Sequence, residues 1–239
     1  MMLLRIIVAV IMTAVLSTAA IFLLPIDRSH RSFYGIGRQW ARMMLRLFGV
    51  KVTVKGLEHL APGQHYVYVS NHASMFDIPA VMASIPDNIN IVLKKELTRV
   101  PIWGWALKLG PYIVIDRFNP REASRSLEEA AEKICGGRSA QLYAEGTRTR
   151  DGKLQPFKRG AFALAVKSGI PVVPLTINNT FRILKKGSLK INPADIELVV
   201  EKPIATQNYS GKEGELKLMT QVHSAIARHY IDQSEQTAP

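Results

Sequence analysis

At 239 residues the chain has room for one domain with a sizeable core, or one domain plus a membrane element. Its 31 Lys and Arg against 19 Asp and Glu give a net charge of +12, which points to a polyanionic partner such as nucleic acid, an anionic membrane face or a phosphorylated substrate. The single cysteine, Cys135, excludes an internal disulfide and any cysteine-cluster metal site, and 47% hydrophobic content is high for a soluble domain.

An uninterrupted apolar run covers residues 6–24, with Arg5 before it and Pro25, Asp27 and Arg28 after it. It is long enough to span a bilayer. Ser17, Thr18, Ala19 and Ala20 offer small residues suited to signal cleavage, but the run continues through Ile21, Phe22, Leu23 and Leu24. Basic residues crowd its far side: Arg28, Arg31, Arg38, Arg42, Arg46 and Lys51. That asymmetry favours an uncleaved anchor with the main domain in the cytoplasm. Over residues 32–48, Arg38, Arg42 and Arg46 recur every four positions, while Ile36, Trp40, Met43, Met44, Leu47 and Phe48 fill the other side. Such an amphipathic helix either lies among lipid headgroups or turns its apolar face to a core.

Strand patterns follow over 50–55, 66–70, 89–93, 112–115, 140–144, 172–177 and 196–200. Helical patterns fall between several of them, over 78–85, 103–109, 122–134, 157–167 and 212–231. Strands alternating with helices predict an α/β domain with a mixed, largely parallel sheet flanked by helices. The chain then divides into an anchor and amphipathic helix over 1–48, a main domain over 49–233 and a disordered tail over 234–239.

The stretch Ser70-Asn71-His72-Ala73-Ser74-Met75-Phe76-Asp77 joins a strand to an apolar helix. His72 and Asp77 are five residues apart, so they meet only if His72 lies in the turn and folds back over the first helical turn. That arrangement suits a base and its orienter, Asp77 holding the imidazole tautomer while the other ring nitrogen takes a proton. The same residues also read as a capping box between Ser74 and Asp77, with His72 an ordinary turn residue. The spacing alone is a weak signal.

Two further strands stop at charged residues. Residues 112–115 run into Asp116 and Arg117, and strand ends are where α/β folds place binding groups, so Arg117 is a candidate phosphate ligand, with Arg121 and Arg125 following. Residues 140–144 run into Glu145, then Gly146 for a tight turn, Thr147 for a hydroxyl and Arg148, whose planar fork suits a phosphate. Arg150, Lys153, Lys158 and Arg159 make the following loop strongly positive, mostly as solvated charge. Neither a Gly-x-Ser-x-Gly elbow, a phosphate-binding P-loop, a dinucleotide-binding glycine fingerprint nor a His-Glu-x-x-His pair occurs, which removes the usual support for hydrolase, nucleotide and zinc readings.

Taken in order, Asn71-His72-Ala73-Ser74-Met75-Phe76-Asp77, Gly110-Pro111-Tyr112-Ile113-Val114-Ile115-Asp116-Arg117, Glu145-Gly146-Thr147-Arg148 and Ile170-Pro171-Val172-Val173-Pro174 resemble the four motif blocks of the glycerolipid acyltransferase family. The 1-acyl-glycerol-3-phosphate acyltransferase branch is the nearest match. Lys94-Lys95-Glu96-Leu97, Pro101 with Gly104 and Trp105, and Phe157-Lys158-Arg159-Gly160-Ala161 are similar to that family's intervening segments, so the resemblance covers residues 50–205. The N-terminal anchor and arginine-striped helix are similar to the membrane-docking start of bacterial members.

The resemblance implies a glycerol-3-phosphate acyltransferase-like fold and transfer of a fatty acyl group from acyl-CoA or acyl carrier protein to the sn-2 hydroxyl of lysophosphatidate, giving phosphatidate. His72 is then the general base and Asp77 its orienter. Arg117, Glu145, Gly146, Thr147 and Arg148 form the acceptor's glycerol phosphate site, with Lys94 or Lys95 as a further cation. No nucleophilic Ser or Cys, metal or cofactor is implied, and the acidic donors suit the +12 charge. The implied location is the cytoplasmic face of a bacterial inner membrane, in contact with anionic lipids. Other acceptors, such as glycerol-3-phosphate, another lysophospholipid or a lyso-aminolipid, remain alternatives. So does a non-catalytic protein that binds anionic lipid. Nucleic acid is disfavoured, because the basic residues sit at strand ends and beside an anchor without interleaved exposed aromatics.

Overall fold

The computed structural model describes residues 1–115 and 138–234. The helix expected over 122–134, Arg117, Arg121, Arg125, Cys135 and the tail beyond Ser234 lie outside the described residues.

Seven strands, β1 (Val52–Lys55), β2 (Val67–Ser70), β3 (Ile89–Lys94), β4 (Ile113–Ile115), β5 (Ser139–Tyr143), β6 (Val172–Asn178) and β7 (Ile196–Val200), form one sheet in the order β1-β7-β6-β2-β5-β3-β4. Every pairing is parallel except β6 with β7. The mixed, largely parallel sheet expected from the alternating pattern is therefore present. Its central strand, β2, is buried along its whole length, as a strand with both faces covered must be.

Alternation along β2 divides the core. Val67 and Val69 face one layer, where Phe162 and Leu164 of α5 (Gly160–Ser168) meet Leu218, Val222 and Ile226 of α7 (Gly211–Ala227). Tyr66 and Tyr68 face the other, packed with Leu45 of α2 (Arg31–Leu47) and Ala80 and Val81 of α3 (Asp77–Ser84). The remaining α-helices among the described residues are α1 (Met2–Leu23), α4 (Trp103–Leu109) and the single turn α6 (Thr180–Ile183).

Because β2, β5 and β3 are parallel neighbours, their carboxyl ends leave the sheet at the same edge. His72 follows β2, Glu145 to Arg148 follow β5, and Lys94 ends β3. This is the edge at which open α/β sheets bind ligands.

The N-terminal helices settle what composition left open. The apolar side of α2 is turned inward, with Phe33, Ala41 and Leu45 buried, and Arg38 donates to the Asp87 carbonyl at 3.0 Å. It is α1 that carries apolar side chains outward: Leu3, Leu4, Val10, Ile11, Val15 and Phe22 are exposed. By length and composition α1 is able to cross a membrane. Its inner side packs on α2 and α4 through small residues, with Ala9, Ser17 and Ala20 buried.

Candidate active site

The turn after β2 is held by hydrogen bonds from distant parts of the chain. Asn71 exchanges two bonds with the backbone of Ile177, at 2.9 and 2.8 Å. His72 N–H donates to Glu145 Oε1 at 2.8 Å, and the His72 carbonyl accepts from Thr149 N–H at 2.9 Å. Within this frame His72 Nδ1 lies 2.6 Å from Asp77 Oδ2. The same carboxylate oxygen accepts from the backbone N–H groups of Ala73 and Ser74 at 2.8 and 2.9 Å. Asp77 therefore fastens the turn and orients the imidazole at once, while only half of the expected capping box forms: Asp77 accepts from Ser74 N–H, but Ser74 Oγ accepts from Phe76 N–H and donates to the Leu184 carbonyl instead of capping Asp77. Being fully buried, the carboxylate draws its stabilisation from these donors. With Nδ1–H donating to Asp77, Nε2 is the ring nitrogen left to accept a proton. Tyr143 stacks on the imidazole, the ring centroids 4.1 Å apart and the planes 23° from parallel.

His72 lines a cavity of about 340 Å³. Most of the lining is apolar: Leu16 and Ala20 of α1, Phe33, Ile36 and Trp40 of α2, Met82 of α3, and Trp103 and Leu107 of α4. The lining also carries the cations Lys94, Arg148 and Lys186, together with Gly146 and Thr147. Gly146 makes the turn after β5 with φ of +73°, a backbone conformation that favours glycine.

Of the residues anticipated from sequence, His72, Lys94, Gly146, Thr147 and Arg148 lie on the cavity wall. Lys95 does not. Glu145 is set behind the wall, buried, where it supports the His72 backbone. Burial pushes its carboxyl up to about 8, against the pull of the His72 N–H, and its second oxygen has no partner among the described residues. Arg159 pairs with Glu215 at 2.9 Å and lies off the cavity.

Two wall residues were not read from sequence. Tyr143 sits inside a recognised stretch as a strand residue, and nothing local marks a ring that will cover His72. Lys186 belongs to a Lys185-Lys186 pair with no motif around it.

The parallel sheet edge thus presents a buried-carboxylate–histidine pair to a largely apolar cavity that also carries Lys94, Arg148 and Lys186. The family model for Acyltransferase matches residues 51–178, more than half of the chain and the segment from β1 to β6 that carries His72, Asp77, Lys94 and Glu145 to Arg148. The chain belongs to the acyltransferase family. It is 35% identical over 199 residues to the chloroplastic 1-acyl-sn-glycerol-3-phosphate acyltransferase BAT2 of Brassica napus, covering 82% of this chain and 57% of that protein. To 1-acyl-sn-glycerol-3-phosphate acyltransferase alpha of Homo sapiens it is 33% identical over 162 residues, covering 67% and 57%. Matches to such curated relatives thus take in little more than half of their length. The crystal structure of the 1-acyl-sn-glycerophosphate acyltransferase PlsC from Thermotoga maritima superposes with a TM-score of 0.78 at 24% identity, covering 100% of this chain and 99% of that one. That likeness concerns the fold.

Proposed function

We propose that this chain is a membrane-associated 1-acyl-glycerol-3-phosphate acyltransferase, moving a fatty acyl group from acyl-CoA or acyl carrier protein to the sn-2 hydroxyl of lysophosphatidate. The observation that carries the reading is the 2.6 Å contact of His72 Nδ1 with buried Asp77, made where an apolar cavity meets a cationic rim.

In the proposed reaction the acceptor's phosphate sits at Lys94, Thr147 and Arg148, which brings its free hydroxyl to His72 Nε2. The hydroxyl proton passes to Nε2 as the oxygen attacks the thioester carbonyl, forming the new C–O bond. Asp77 stabilises the imidazolium so formed. The tetrahedral intermediate collapses with cleavage of the C–S bond, and the proton moves from His72 to the departing thiolate. No acyl-enzyme forms, and the reaction as written needs no metal and no cofactor beyond the thioester. Glu145 holds the His72 turn in place, and the apolar cavity takes a hydrocarbon chain, excluding water from it.

The outward apolar side of α1 seats the protein in the bilayer, and the arginines after it favour the cytoplasmic face of a bacterial inner membrane. Residues 1–48 form the membrane-associated part, with α2 as the layer between α1 and the sheet, and residues 49–233 the catalytic part.

The test is thioester-dependent acylation by the detergent-solubilised full chain, offered lysophosphatidate, glycerol-3-phosphate and other lysophospholipids in competition, with acyl-CoA and acyl carrier protein as donors. Phosphatidate as the main product is expected. Preferential use of a different acceptor reassigns the substrate, and failure to acylate any of them removes the enzymatic reading.

A further inference from the structure

Lys186 lies beyond the 51–178 segment that the family model matches, and the stretch carrying it is fastened to both loops of the site. Ser74 Oγ donates to the Leu184 carbonyl at 2.9 Å, tying the stretch to the His72 turn. Lys186 Nζ donates to Thr147 Oγ1 at 2.7 Å, tying it to the turn after β5. The ammonium is thereby held on the same cavity wall as Lys94 and Arg148.

None of these three cations has a carboxylate partner among the described residues. A few surface cations elsewhere do have carboxylate partners: Lys55 with Glu197, Arg159 with Glu215, and Lys217 with Glu213. Loss of hydration, followed by the charges of Arg150, Arg148 and Lys94, holds the Lys186 ammonium below its ordinary pKa. Like charges gathered together repel, and an anion arriving among them relieves that repulsion.

We propose that Lys186 is a specificity-determining residue that, with Lys94, Arg148 and Thr147, completes a cradle for a phosphate monoester and discriminates against phosphodiester headgroups. This rests on the acyl-transfer reading above. A monoester presents three non-bridging oxygens and close to two negative charges near neutral pH. A diester presents two such oxygens and one charge. Three cations come closer to balance against the former than against the latter. Arg148 can take two oxygens with its planar fork, while lysine ammoniums act as point charges. Having accepted from Lys186, the Thr147 hydroxyl keeps its own proton to donate to the third oxygen.

The experiment compares wild type, Lys186→Met and Lys186→Arg as full-length chains in detergent, each checked for an unchanged melting temperature. Acceptors are lysophosphatidate and lysophosphatidylglycerol carrying the same acyl chain, and calorimetry separately measures binding of glycerol 3-phosphate without any donor. Lys186→Met is expected to raise KM for lysophosphatidate about tenfold with kcat within about threefold, to change kcat/KM for the diester less than about twofold, and to weaken glycerol 3-phosphate about tenfold; Lys186→Arg recovers most of this. Equal losses on monoester and diester overturn the proposal, as does an unchanged preference. A rise in KM for acyl-CoA alone, with the acceptor unaffected, assigns the cation to the donor's phosphates and overturns it too. If wild type acylates nothing, the acyltransferase reading fails while calorimetry still decides for Lys186: Lys186-dependent binding of glycerol 3-phosphate upholds the phosphate assignment, and its absence overturns it.

Discussion

At the His72 corner one oxygen of Asp77 takes three donors, the turn is bonded to β6 through Asn71, and the imidazole is covered by Tyr143. On the neighbouring rim of the same cavity Lys94, Arg148 and Lys186 share no carboxylate among the described residues. The corner is held by bonds within the chain before any ligand arrives, so its geometry is preorganised and its groups are costly to alter. On the proposed reading the rim is completed by the substrate's phosphate, so its side chains govern affinity. Changes at the corner should therefore act on turnover and stability, and changes at the rim on KM.

The largest effect is expected from His72→Ala, a loss in kcat of about 10²–10⁴-fold, with a small loss of stability because one of the three donors to Asp77 and the stacking on Tyr143 go with the ring. Retained turnover in a folded variant would sink the general-base assignment. Asp77→Asn should follow closely, with a loss of similar order as the imidazole loses its orienting charge. It should cost more stability than His72→Ala, about 1–3 kcal/mol, because a neutral amide oxygen accepts from the three N–H donors more weakly than the carboxylate does. Denaturant titration separates the two variants, and equal stabilities would mean that Asp77 does not hold the turn. Arg148→Met tests the other side of the comparison: KM for lysophosphatidate is expected to rise about tenfold or more, with kcat changed much less. A drop in kcat at constant KM would place Arg148 with the corner.

The smallest effect concerns Glu145, which lies between the two regions. Its carboxyl is raised from 4.5 to about 8 by burial, so the folded chain keeps a proton there that the unfolded chain releases above 4.5. The unfolded state then binds fewer protons across that window, and stability falls as pH rises from about 4.5 to about 8. Glu145→Gln preserves the neutral form. Its melting temperature should match wild type near about pH 5 and exceed it by a few degrees near about pH 8. A difference that is the same at both pH values would show that Glu145 stays ionised in the fold.

Much of the architecture could be read in advance. The strand over 196–200 and the helix over 103–109 end where the pattern ends, and the other strands differ by a residue or two, since fraying ends are set by single hydrogen bonds. The direction of α2 could not be read that way. An arginine stripe opposite Trp40 and Met44 has the same period whether its apolar side meets lipid or α3, and only the presence of α3 on that side decides it. For Glu145, a strand-end carboxylate beside Gly146, Thr147 and Arg148 reads as a ligand contact. Its burial behind the wall depends on β5 lying next to β2.

The properties the sequence determined by itself are local ones: the period that makes strands and helices, the apolar length of α1, and a His72–Asp77 spacing that a turn can close. Each depends on residues within a few positions, whose sterics and hydrogen bonds are the same in any fold. The tertiary structure alone decided that β2, β5 and β3 stand side by side. That order brings Glu145 to His72 across 73 residues of chain, Leu184 to Ser74 across 110, and Lys186 to Thr147 across 39. Contacts at such separations are chosen by which strands bury each other's faces, a property of the whole sheet and not of any one stretch.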